Sequence, residues 1–277
     1  MEAFILCFLR IVLYTLGVLM ACGLAVEICY RLCFILMGKR AGRSFWLVTS
    51  FLGTPVHESG HALMCILFAH RIEHIRLIPT KAGGAMVEHS YNRRNPYAAF
   101  GNLWIGLGPM FSGLAVILAV LYWVYPVSMQ AYQGAIGLLL EDGAPTEQLW
   151  ECVKQFLQGL LTEDTQAWWI RLIAVAVLFS LALHVRLSAA DVGGMIIGLP
   201  AYAVIVAFVA LIAVLIGGDA VDRLSVWLHR GAWLLVSLFS LILLFAMVQL
   251  AVVILYRLVC ALTRIMRGKQ VYDADEI

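Results

Sequence analysis

The residues best suited to chemistry lie together in Pro55-Val56-His57-Glu58-Ser59-Gly60-His61. On a helix, His57 and His61 stack one turn apart on a single face, where two imidazoles can share one metal ion. Glu58 projects beside them and can hold a water against that ion. A catalytic zinc takes neutral nitrogen ligands and keeps one position open for water. The pKa of that water falls to ~7, within reach of a carboxylate that accepts its proton. Phe45 to Thr54 is almost wholly apolar, and Ala62 to Ala69 is apolar again, so the motif lies inside a stretch long enough to span a bilayer. On a soluble helix the same residues could form a solvated face. In hydrocarbon an acidic side chain costs roughly 2.5–3.5 kcal/mol even on the lenient insertion scale. Two histidines and a glutamate placed there need partners, and a shared metal ion is the partner their types imply.

A catalytic zinc also needs a third protein ligand. His70 and His74 have the same spacing as the motif pair, but His70 lies roughly 13 Å beyond His61 along a helix axis, out of reach of the same ion. His184, Asp191, His89 and Glu88 remain. Asp191 sits among small residues at the end of an apolar hairpin and is followed by Gly193-Gly194. His184 would share its face if one helix ran through both. Ser188-Ala189-Ala190-Asp191 also has the form of a capping box, in which Asp191 would only start a helix. Spacing leaves ligand and cap equally open.

These residues must be positioned by membrane helices. Of 277 residues, 63% are hydrophobic and 13% charged, whereas a soluble domain is nearer half apolar and a quarter charged. The net charge of +2 points to no nucleic-acid partner. The 7 cysteines have no zinc-finger or CxxC spacing and imply no disulfide framework. Leu19-Met20-Ala21-Cys22 has the form of a lipoprotein cleavage box, but the chain stays apolar beyond it, as a transmembrane helix does and a signal peptide does not.

The expected architecture is a single all-α polytopic membrane domain with about six transmembrane helices and a short cytoplasmic β element after the second. The spans are Ala3 to Met37, Phe45 to His70, Tyr97 to Tyr125, Trp168 to Val185, Ile196 to Gly217 and Gly231 to Tyr256. Glu27 and Arg31 can pair along one helix face. Gly53-Thr54-Pro55 should kink or start the motif helix and leave irregular backbone beside the metal. Arg71 to Asn95 should form two short strands around Gly83-Gly84. The third span holds Gly101-Asn102 and Gly106-Leu107-Gly108-Pro109, small residues that permit close helix contact. Ser128 to Thr165 is expected as a long acidic loop with a short amphipathic surface helix over Glu147 to Leu161. Six spans put both termini on one side. That side also carries Arg71, Arg76, Lys81, Arg93, Arg94 and Arg186, which makes it cytoplasmic.

The motif in its membrane helix, the basic strand-forming loop after it, Gly108-Pro109 in the next span and Asp191 in a later one resemble the site-2 protease family of intramembrane zinc metalloproteases. The resemblance covers roughly residues 45–200, leaving 1–44 as an accessory first span and 201–277 as accessory C-terminal spans and tail. It implies zinc as cofactor, His57, His61 and Asp191 as ligands, and Glu58 as general base. His184, Pro109 and Asn102 are auxiliary candidates, and the loop from Arg71 to Asn95 would bind substrate. The implied activity is endopeptidase cleavage of a transmembrane or membrane-proximal peptide bond by water activated by zinc and Glu58. The implied partners are a membrane-protein or peptide substrate and the lipid bilayer, in a bacterial cytoplasmic membrane. The chain departs from the family in having Ala190-Asp191-Val192 where Leu-Asp-Gly or Asn-Pro-Asp-Gly is frequent. It has Ser112 where an asparagine often follows Gly-Pro, and no PDZ insertion. A non-catalytic metal-binding protein that kept the fold is the alternative reading. A transporter is a third, although no repeat or paired broken helices speak for it.

Overall fold

The computed structural model describes residues 1–79, 84–141 and 145–266, with the side chains of 39, 40, 48 and 264–266 left out. The expected turn residue Gly83, the loop residue Asp142 and the charged tail beyond Met266 lie outside the described residues.

The chain is almost entirely helical. Helix α1 (Glu2–Val12) passes through one π-helical turn, Leu13–Gly17, into α2 (Val18–Leu67). Two strands follow, β1 (Arg71–Arg76) and β2 (Met86–Ser90), then α3 (Pro96–Val124), α4 (Pro126–Leu140) and α5 (Thr146–Thr162). The last three helices are α6 (Trp168–His184), α7 (Ala189–Ile216) and α8 (Ala220–Met266).

Among the described residues four segments are long and apolar enough to cross a membrane: Glu2–Gly38, Pro96–Val124, Ala189–Ile216 and Ala220–Thr263. This is the composition of an integral membrane protein. Two of the six expected spans fall outside this length and composition, for two physical reasons. The motif segment is diluted by His57, Glu58 and His61, and Trp168–His184 is apolar but only 17 residues long.

Helix α2 folds back on itself at Gly38, whose φ of 73° and ψ of 166° break the helix. A side chain would strain this positive φ, and glycine adopts it freely. The two halves then lie side by side, with Gly42 against Phe34, and with Tyr30 and Cys33 sharing a small cavity with Phe45 and Thr49. The break expected at Pro55 does not occur, and the helix runs through it to Leu67. Proline removes one backbone donor, a loss that a packed membrane helix absorbs.

Strands β1 and β2 form the expected hairpin. They pair antiparallel from Arg71 opposite Ser90 to Arg76 opposite Met86, with an irregularity between Ile72 and His74. Helix α3 starts where Asn95 accepts hydrogen bonds from the Tyr97 and Ala98 amides and Pro96 takes the first turn. The expectation of a loop over Ser128 to Thr165 is corrected in its first half. Pro126 restarts the chain as α4, which packs on α5 through Tyr132 and Phe156. The amphipathic helix in the second half is present as α5.

The core lies where α2, α3, α6 and α7 meet. Leu103, Leu107, Ile117, Leu178, Leu181 and Ala210 are almost completely enclosed there. Gly60 and Gly108 let α2 and α3 approach backbone to backbone, since a Cβ on Gly60 would lie 2.6 Å from the Gly108 carbonyl oxygen. That contact holds the motif face of α2 against α3.

Candidate metal centre

The second half of α2 presents His57 and His61 on one face, with Nε2 atoms 3.3 Å apart. Each ring is held from behind by a backbone carbonyl. His57 Nδ1–H donates to the His184 oxygen at 2.6 Å, and His61 Nδ1–H donates to the Ile105 oxygen at 2.7 Å. Because a carbonyl only accepts, both protons sit on Nδ1 in the neutral rings, and both Nε2 lone pairs are free. Such support from the second ring nitrogen orients metal-bound histidines in general.

Asp191 enters from the first turn of α7. Its Oδ1 lies 3.0 Å from His61 Nε2, and its Oδ2 lies 3.7 Å from His57 Nε2. The capping box is also real. Ser188 Oγ accepts from the Asp191 amide at 3.2 Å, and the Ser188 amide donates to Asp191 Oδ2 at 2.7 Å. Capping does not use up the carboxylate, because Oδ2 meets the Ser188 amide while Oδ1 faces His61. Gly106 on α3 leaves the space for this approach, since a Cβ there would meet the Asp191 carbonyl oxygen at 2.7 Å.

The three ligand atoms lie within 4.8 Å of one another. Two imidazole nitrogens and a carboxylate converge on one point, an arrangement that a shared cation stabilises. Two neutral imidazoles and one carboxylate are a donor set that zinc accepts. The residues present therefore fit the metal that the motif implies.

Glu58 is buried, at 8% exposure, on the same helix turn. It lines a cavity of about 420 Å³ together with His57, His61, Asp191, Asn102, Ala85 and the strand residues Met86, Val87 and His89. Glu58 and His57 also line a neighbouring cavity of about 220 Å³ that reaches Trp46, Thr54, His184 and Arg186. The two spaces flank the Glu58 carboxyl group and border the hairpin at Ala85.

Of the other candidates, His184 contributes its main-chain oxygen, while its ring donates from Nδ1 to the Ser180 carbonyl at 2.8 Å. Glu88 is exposed on the hairpin and does not border the centre. Asn102 lines the cavity and donates to the Ala99 carbonyl at 3.2 Å. Pro109 is buried in α3 beside the Gly60–Gly108 contact. His70 and His74, which share the spacing of the motif pair, do not share a helix face. The helix ends at Leu67, His74 lies in β1, and His70 instead donates from Nε2 to the Ala98 carbonyl at 2.8 Å. His70 Nδ1 then accepts from His89 Nδ1–H at 3.0 Å. Burial, and next the neighbouring His70, pull the His89 pKa below its ordinary value.

Sequence reasoning missed the Ile105 and His184 carbonyls, which carry no side-chain signal. The cavity-lining residues Ala85 to Val87 fall inside the Arg71 to Asn95 loop that the sequence offered as the substrate-binding segment.

A His-His-Asp cluster beside a buried glutamate, in a bundle of apolar helices, is a candidate metal centre in an integral membrane protein. Residues 24–140 match the model of the family described as Peptidase M50B-like, which supports assignment of the chain to the site-2 protease (M50) family. The match contains His57, Glu58 and His61 but ends before Asp191, whose place at the centre rests on geometry. Neither the curated proteins nor the solved structures gave a match.

Proposed function

We propose that the chain is a zinc-dependent intramembrane endopeptidase, with His57, His61 and Asp191 as ligands and Glu58 as general base. The observation that carries this reading is the convergence of two Nε2 lone pairs and the Asp191 carboxylate within 4.8 Å, next to a buried glutamate. A bound zinc would supply Lewis acidity toward a peptide carbonyl and toward the water that attacks it. Glu58 would take the proton of that water on its carboxylate and return it to the leaving amine nitrogen. The Ile105 and His184 carbonyls fix the two histidine rings, and the Ser188 amide fixes the Asp191 carboxylate, so no donor must reorient during the reaction.

The substrate in this reading is a membrane-protein segment, unwound locally so that its backbone is extended. Residues Ala85 to Val87 border the cavity, and an extended segment would add along them as a strand. In the same reading, the distribution of Lys and Arg supports a cytoplasmic location for this hairpin and both termini, in a membrane we take to be bacterial.

The test uses purified protein in detergent with a library of transmembrane peptides, and mass spectrometry of the new termini. Cleavage should need zinc and disappear in Glu58→Gln, which keeps a hydrogen-bonding group but accepts no proton. Equal cleavage by Glu58→Gln would remove Glu58 as the base.

A further inference from the structure

The connection from α6 to α7 holds both supports of the metal centre. His184, at its start, provides the oxygen that holds His57, and Ser188, at its end, provides the amide that holds Asp191. Between them lies Arg186, which reaches away from the centre to the first half of α2. Its Nη1 donates to Glu27 Oε2 at 2.7 Å, and its guanidinium stacks 3.9 Å from the Tyr30 ring centroid. Glu27 is buried at 8% exposure and takes Arg31 on its other oxygen at 2.7 Å. The two arginines differ in what they can affect. The Arg31 side chain is 67% exposed and borders neither cavity at the centre, whereas that of Arg186 is 25% exposed and borders the smaller one.

We propose that Glu27 and Arg186 form a positioning clamp that sets the α6–α7 connection, and through it the His57 ring and the Asp191 carboxylate, in the geometry that holds the metal. This inference rests on the metal-centre reading above. The physical case has three parts. Two neighbouring points of one short connection must stay fixed if both ligands are to converge, and Arg186 is the ion-paired residue between them. Its partner comes from the far half of α2, so the first transmembrane segment is mechanically part of the centre and more than an accessory. The pair is also a costly thing to keep in an apolar bundle, since replacing a buried ion pair by apolar residues of similar volume is often neutral or stabilising. A positioning role is a reason for its presence that stability does not supply.

The experiment measures zinc affinity by chelator competition on purified protein in detergent, with thermal melting of the metal-free form as the control for folding. The decisive variant is the double replacement Glu27→Met with Arg186→Met, which removes the tie and leaves no buried charge from either partner. The clamp predicts zinc affinity lowered by about 10- to 100-fold, the range found when groups that orient metal ligands are removed, while the metal-free protein still melts cooperatively. Arg31→Ala should leave affinity at the wild-type value, because that arginine supports Glu27 without bordering the centre. A pair that only stabilised the fold would shift melting and leave the affinity of the folded protein unchanged. Wild-type affinity in the double variant would overturn the clamp alone, as would an equal loss in Arg31→Ala. Absence of zinc binding by the wild type would overturn the clamp together with the reading it rests on.

Discussion

Replacing Asp191 by Asn would separate its capping contact from the ligand role proposed for it. The Ser188 amide needs an acceptor, which Asp191 Oδ2 provides at 2.7 Å. An asparagine has one oxygen, and its nitrogen cannot stand against another N–H. The amide oxygen must therefore stay with Ser188, and the amide nitrogen must turn toward His57 and His61. The cap survives, since Asn caps a helix about as well as Asp, but the position now held by Oδ1, 3.0 Å from His61 Nε2, becomes a donor that no metal accepts. The centre loses one of three ligands and its only anionic one. Loss of groups that merely orient ligands costs 10- to 100-fold in affinity, so loss of this ligand should reach at least about 100-fold, or about 2.8 kcal/mol. Metal-free stability should change little. Chelator competition gives the affinity, and thermal melting in excess chelator gives the stability. Unchanged zinc affinity would refute the reasoning, and so would a loss of affinity matched by an equal loss of metal-free stability.

Other expectations follow from the same geometry. Gly60→Ala should destabilise the fold by about 1–3 kcal/mol, the usual cost of overpacking, because the new Cβ would lie 2.6 Å from the Gly108 carbonyl oxygen. Gly193→Ala, with nothing within 4 Å of its Cβ, should melt close to wild type. The pKa of His89 is lowered in the folded protein, chiefly by burial, so the unfolded chain takes up this proton first as pH falls. Its contribution is nil above its unfolded pKa of about 6.5 and becomes destabilising below it. His89→Asn should therefore lose less stability than wild type between about pH 7.5 and about pH 5.5, which melting across that range measures.

The legible parts of the fold were those with strong local patterns. The motif helix, the hairpin flanking Gly84 and the start of α3 at Asn95-Pro96 each follow from a few adjacent residues. Helix α4 was not legible, because Gly134 and Gly137 weaken its pattern and its neighbours include acidic loop residues. Pro55 misled for a different reason, since its local cost is met by packing that lies far away in sequence. At the site, His57, Glu58 and His61 could be named from spacing alone. Asp191 was left between two roles because spacing cannot show that two oxygens of one carboxylate face different ways. The Ile105 and His184 carbonyls are backbone atoms and leave no mark in the sequence. The pairing of Glu27 with Arg186 spans 159 positions, and only the fold brings the two together.

Metal analysis of purified protein tests the central claim most directly. The wild type should carry close to one zinc per chain, and His57→Ala and His61→Ala should each lose most of it, since each removes one of three ligand atoms that lie within 4.8 Å of one another. Undiminished zinc in both variants would contradict the account.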